Sequence, residues 1–147
     1  MDATEFLVVK SKQNCEIANY AATKKYFDVA VSRHYYSIYQ RILVVLISNV
    51  SSYILGKNEG NGASHEFAFS EYRKYALKKC KKRLDSSDVT EVAHLDSMLR
   101  DIKRHRVNCD YAQRLINESE YEEDFMKKLK KADAILSKIE PILIERG

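Results

Sequence analysis

Tryptophan is absent, and the 147 residues include one proline, four glycines and three cysteines. So little Gly and Pro leaves few turn signals, and no convincing strand emerges. Cys15, Cys80 and Cys109 are odd in number, widely spaced and without a Cys-x-x-Cys pair. That pattern excludes a disulfide framework and predicts reduced thiols in a cytoplasmic protein. No signal-peptide pattern is present at the N-terminus, and the longest apolar stretch, Ile42 to Val50, is too short to span a bilayer, so no membrane role is expected. The phosphate loop, the dinucleotide glycine fingerprint and the Gly-x-Ser-x-Gly elbow are all missing. Glu91-Val-Ala-His94 has the Glu-x-x-His spacing of di-iron bundles, but such sites need a second copy. Neither a metal nor another cofactor is expected.

Helical periodicity and an uneven distribution of charge are what the chain does have. The net charge is only +4, yet Arg73, Lys74, Lys78, Lys79, Lys81, Lys82 and Arg83 stand against Glu71 and Asp85 alone. This stretch is either a solvated helix face or a footprint for a phosphate backbone. Five helices are predicted. The first covers about 4–22. The second covers 26–55, with the stripe Val31, Tyr35, Ile38, Ile42, Val45. The third runs from a Ser64 cap through Lys82, after a Gly/Asn-rich loop from Gly56. The fourth is capped among Ser86, Ser87 and Asp88 and reaches Arg106 or Leu115. The fifth opens on a Ser119–Glu122 capping box and ends at Pro141. Five amphipathic helices without an interdomain linker predict an all-α bundle forming one domain over 1–147.

Within the fourth helix, Arg106-Val-Asn-Cys-Asp-Tyr111 breaks the expected pattern. Arg106 falls in register with the apolar stripe Leu95, Leu99, Ile102, Cys109. A buried, unpaired arginine is costly, and Asp110 lies one turn on. With each residue turning about 100°, Arg106 sits about 40° to one side of Ile102 and His105 about 60° to the other. Arg100 lies about 160° away, with Arg104 and Tyr111. Arg100 is therefore solvated or on an intermolecular face.

Ala30-Val-Ser-Arg-His-Tyr-Tyr36 resembles the Ser-Arg-x-Tyr-Tyr signature of the HEPN superfamily (higher eukaryotes and prokaryotes nucleotide-binding). Arg106-Val-Asn-Cys-Asp-Tyr111 is similar to the Arg-x-x-Ala-Asp-Tyr element of one prokaryotic branch, and His65 falls where that branch often carries a histidine. Order and spacing agree over roughly residues 10–140. The resemblance implies an up-and-down bundle of four to five helices that usually homodimerises. Nuclease members cut RNA without metal, using arginine and histidine from both protomers. Many are toxins paired with a nucleotidyltransferase antitoxin or defence effectors. Others are inactive and bind nucleotides or partners. The superfamily's nuclease motif places a histidine four to six residues after an arginine. No histidine follows Arg106, and Tyr111 stands in that place. One literal match lies elsewhere, at Arg100-Asp-Ile-Lys-Arg-His105. Toxins of this kind can be silenced by adenylylation of a tyrosine near the motif, for which Tyr111 is the candidate.

Metal-free RNA cleavage needs a base, an acid and positive charge at the phosphate. Histidine suits the first two roles and arginine the third. The candidate catalytic residues are Arg106, His105, Asp110, Tyr111 and Arg100. Lys103, Arg104, Asn108, Lys78, Lys79 and Lys82 are candidates for drawing in the RNA. Arg33, Tyr36 and His65 are expected to be structural or interfacial, with Arg33 pairing Asp110 across the bundle and His65 starting the third helix. Each has a plain structural alternative: His105 as an edge-of-core residue, Arg106–Asp110 as a fold-holding ion pair, Tyr35, Tyr36 and Tyr39 as core and interface. Two functions stay open, an RNA-cleaving enzyme and a non-catalytic module that binds a nucleotide or a nucleotidyltransferase.

Overall fold

The first pair of helices turns back on itself without a glycine. In the computed structural model, which describes residues 2–51, 53, 64–112 and 114–144, α1 spans Ala3–Thr23 and α2 spans Phe27–Asn49. Asp2 caps α1 through the Glu5 N–H, and the Glu5 carboxylate returns the contact to the Asp2 N–H, a closed capping box. At the far end Lys25 takes a left-handed conformation, φ 61°. The Lys25 and Tyr26 N–H groups there reach back to the Ala22 and Ala21 carbonyls. A residue with a Cβ is strained in that position, which glycine usually fills. Small residues let the two helices approach: Ala18, Ala21 and Ala30 are buried, and the Ser11 and Ser37 hydroxyls each donate to the other's carbonyl at 2.8 Å.

Helix α2 is the centre of the bundle and touches α1, α3 (Ser64–Cys80), α5 (Leu95–Tyr111) and α6 (Met126–Leu143). The predicted stripe Val31, Tyr35, Ile38, Ile42, Val45 is buried throughout. It meets Phe69 and Tyr72 of α3, Leu95, Leu99 and Ile102 of α5, and Ile135, Leu136 and Ile139 of α6 in one continuous core. Arg41 ties α2 to α6 from outside the core, with Nε donating to Glu140 at 2.8 Å and Nη1 to Asp133 at 2.6 Å. Every regular element among the described residues is helical, and none of their helices is long and apolar enough to cross a membrane.

The boundaries differ from the expectations in several places, each for a local reason. Helix α2 stops at Asn49, not at 55, because the Asn49 side chain takes the Val45 carbonyl and Val50 turns extended. The loop expected from Gly56 lies outside the described residues up to Ser64, and Ser64 is itself the first residue of α3. Helix α3 ends at Cys80, two residues before Lys82. The expected fourth helix is two, α4 (Ser86–Ala93) and α5, parted at His94 with φ −102°, ψ 10°. Asp85 caps α4 through the Asp88 N–H, where Ser86, Ser87 or Asp88 was expected to do so. Helix α5 closes at Tyr111, short of Leu115. Ser119 is already helical, and the cap there is Asn117, which accepts from the Glu120 N–H at 2.8 Å. A single π-helical turn, Glu120–Phe125, then leads into α6 and turns Tyr121 and Phe125 into the core. Pro141 sits inside α6, which continues to Leu143. So few residues remain that the missing N–H costs little.

Candidate functional site

Arg106 leaves α5 on the flank facing α2, as its angular position predicts. Its guanidinium lies over two tyrosine rings, 5.2 Å from the centre of Tyr35 and 5.4 Å from that of Tyr36. Asp110, one turn on, accepts from Nη1 at 3.0 Å. The Arg106 side chain is only 11% exposed. Burial works against its charge, but the Asp110 hydrogen bond and the electron-rich tyrosines outweigh it and hold the pKa above its usual value. Its Nε is buried without a hydrogen-bond partner. Tyr72 OH and Arg73 Nε, elsewhere in the bundle, are buried in the same way.

His65 joins this cluster from the first turn of α3. The buried Tyr35 hydroxyl is hydrogen-bonded to His65 Nδ1, and the His65 ring stacks on Tyr39 with centres 4.0 Å apart. Burial, reinforced by the charges of Lys103 and Arg106, pushes its pKa down to about 4, so the imidazole is neutral at physiological pH. Lys103, on the same flank of α5 as Arg106, donates to Glu66 at 2.6 Å. Burial opposes ionisation of Glu66, but that Lys103 contact prevails and holds its pKa below the ordinary value. The second Glu66 oxygen is buried without a partner. Three helices thus bring two cations, two carboxylates, a neutral histidine and three tyrosines together. Such a site can place two fixed N–H-rich cations beside a neutral proton-exchanging ring.

No family model, curated protein or solved structure matches the chain. The site therefore stands on its own geometry.

His105 and Arg106 diverge in this chain, although both were candidates for one centre. His105 turns toward the π-helical turn and the start of α6, where Lys128 Nζ lies 3.0 Å and Asp124 Oδ2 3.8 Å from its Nε2, and its ring packs on Phe125 with centres 5.7 Å apart. Burial and Lys128 lower its pKa. Arg33 does not pair with Asp110 as expected. Its Nη1 donates to Asn14 on α1 at 3.3 Å, because Arg33 lies on the side of α2 that α1 covers. Tyr36 borders the cluster, and His65 is the second residue of α3, after Ser64. Arg100 reaches Asp96 at 3.9 Å and Arg104 reaches Asp101 at 2.9 Å, both at the surface. Tyr111 is 77% exposed, and Asn108, Lys78, Lys79 and Lys82 face solvent. Among the described residues no group of three His, Cys, Asp or Glu side chains is arranged to hold a metal ion.

Sequence reasoning missed Glu66, Tyr39 and the role of Tyr35 as the partner of His65. A signal was present: Glu66 follows His65 directly, and Tyr39 lies one turn from Tyr35, beside the core-facing stripe.

Proposed function

We propose that this protein is a HEPN-type domain acting on RNA as a metal-independent endoribonuclease, of the kind that serves as a toxin or defence effector. The observation that supports the reading most is Arg106 held against Tyr35 and Tyr36 by Asp110, beside a neutral His65 fixed through Tyr35. Arg106 takes the scissile phosphate with the N–H groups Asp110 leaves over. His65 exchanges the proton of the 2′-hydroxyl or of the leaving oxygen, and Tyr35 orients it as a positioning residue. A phosphate bound beside His65 would raise its pKa toward the range where proton transfer is efficient. Lys103, Arg104, Asn108 and the basic stretch of Lys78, Lys79 and Lys82 draw in the backbone. His105, Arg100 and Tyr111 lie on other faces and take no part in this centre.

RNA cleavage in EDTA tests the assignment. Loss of cleavage in Arg106→Ala and His65→Ala, with the helical circular-dichroism signal and the oligomer mass unchanged, supports it. Full activity in both variants removes it.

A second reading is a non-catalytic module that binds a nucleotide or pairs with a nucleotidyltransferase. It is favoured by the charge balance of the cluster, since Arg106 and Lys103 each already hold a carboxylate. On that reading the folded protein does not cut RNA. Arg106→Ala then weakens partner binding, and His105→Ala leaves it intact.

A further inference from the structure

A depression opens between α1 and α2, bordered by the same Tyr36 that faces Arg106. It encloses about 340 Å³ and is lined by Lys10, Asn14, Ile17, Arg33, Tyr36 and Gln40 among others, none of them acidic. Its arginine differs from most of the described arginines. Arg41, Arg73, Lys103, Arg104, Arg106 and Arg114 each meet a carboxylate. Arg33 and Lys10 form no ion pair among the described residues, and the lining offers them none. Positive charge left uncompensated in a concave site attracts an anion.

The floor of the depression is a fixed hydrogen-bonded row. Arg33 Nη1 donates to Asn14 Oδ1 at 3.3 Å, and Asn14 Nδ2 donates to Gln40 Oε1 at 2.9 Å. Asn14 is 7% exposed, so the row is anchored in the α1–α2 seam. It sets the Gln40 carboxamide with its nitrogen uncommitted and leaves the other Arg33 N–H groups for a ligand. Ile17 and the Tyr36 ring supply apolar and aromatic surface beside these donors. Tyr36 belongs to both places: it lines the depression and carries the Arg106 guanidinium at 5.4 Å. The depression and the Arg106 guanidinium thus share the Tyr36 ring as a common wall.

We propose that the α1–α2 depression is a subsite for one unpaired nucleotide of single-stranded RNA, flanking the phosphate held at Arg106. Arg33 and Lys10 take its phosphate, the Gln40 carboxamide meets a base edge, and Tyr36 offers a ring face. A base engaged this way cannot be paired, so duplex RNA is excluded from the subsite. The strand assignment rests on the RNA reading above, whereas the nucleotide site itself does not.

Two measurements separate them. The first is fluorescence anisotropy with a labelled 2′-O-methyl oligonucleotide, single-stranded or as a hairpin duplex, on wild type, Arg33→Glu and the remote exposed control Lys131→Glu. Arg33→Glu is expected to weaken single-strand binding at least about tenfold, with a much smaller change in the control. The second follows the Asn14 and Gln40 side-chain carboxamide signals of wild type by NMR, titrated with adenosine monophosphate or inorganic phosphate. Shifts with the nucleotide that phosphate does not reproduce are expected. If no RNA binds but the nucleotide still shifts these signals, the subsite stands and the RNA reading falls. If RNA binds while Arg33→Glu matches the control and the carboxamides do not move, the subsite is overturned and the RNA reading is untouched. Equal shifts with phosphate reduce it to a general anion site and overturn the nucleotide assignment. Equal affinity for the hairpin overturns the single-strand assignment.

Discussion

His34 makes the fold acid-labile by an amount the structure lets us work out. It occupies the variable position of the Ser-Arg-His-Tyr-Tyr segment and is 5% exposed. Its Nε2 lies 3.2 Å from the Tyr121 hydroxyl, and Phe125 meets its ring edge-on with centres 6.2 Å apart. Burial pushes its pKa from 6.5 down to about 4. The unfolded chain therefore takes up a proton before the folded one does. The stabilisation is complete above pH 6.5 and is lost as pH falls toward 4. From those two values, lowering the pH from about 7 to about 5 removes about 2 kcal/mol through His34 alone. Glu66 and Asp124 have lowered pKa values and act mainly at more acidic pH. His65 titrates in the same direction but contributes less for its shift, because water reaches its ring more freely. Replacing His34 by Gln keeps a hydrogen-bonding group near Tyr121 and removes the titration. Urea unfolding followed by circular dichroism at both pH values measures the drop in stability. The drop is expected to be about 2 kcal/mol smaller in His34→Gln than in wild type. A difference below about 0.5 kcal/mol would refute the buried, neutral state assigned to His34.

Three further outcomes are expected. Arg106→Ala loses a charge-assisted hydrogen bond and two ring faces and is destabilised by about 2 kcal/mol in urea unfolding; an unchanged midpoint would mean that the guanidinium is not held as described. Lys25→Gly relieves the left-handed strain and raises stability by about 0.5–1 kcal/mol in the same assay, whereas a lower midpoint would contradict that geometry. Co-expression with a cognate nucleotidyltransferase adds the mass of an adenylyl group to the exposed Tyr111 peptide, and an unmodified peptide by mass spectrometry removes that idea.

The helices were legible because the apolar period is strong: the α2 and α5 stripes predicted from spacing are the buried ones. The break at His94 was not, because no Gly or Pro marks it and Val92, Leu95 and Leu99 keep an unbroken 3.6 period across it. Around residue 119 the Ser119-x-x-Glu122 spacing was legible, but the cap is Asn117, on the Glu120 N–H, and Tyr121 and Phe125 are buried in the core. Angular position put Arg106 and His105 on opposite flanks of Ile102, yet both were assigned to one centre, and the structure separates them. The partners of these residues did not follow. His65 comes after a Gly/Asn-rich stretch that transmits no register, so nothing local indicates that it meets Tyr35 and lies near Arg106. Arg33 found Asn14 because α1 covers that side of α2, a choice set by the helix hairpin and not by any nearby charge.

The most direct test is RNA cleavage in EDTA by wild type, Arg106→Ala, His65→Ala and His105→Ala at matched purity. The account predicts cleavage by wild type and by His105→Ala, and none by the other two. Cleavage that survives in His65→Ala, or a folded wild-type protein inert toward several RNAs, would contradict it.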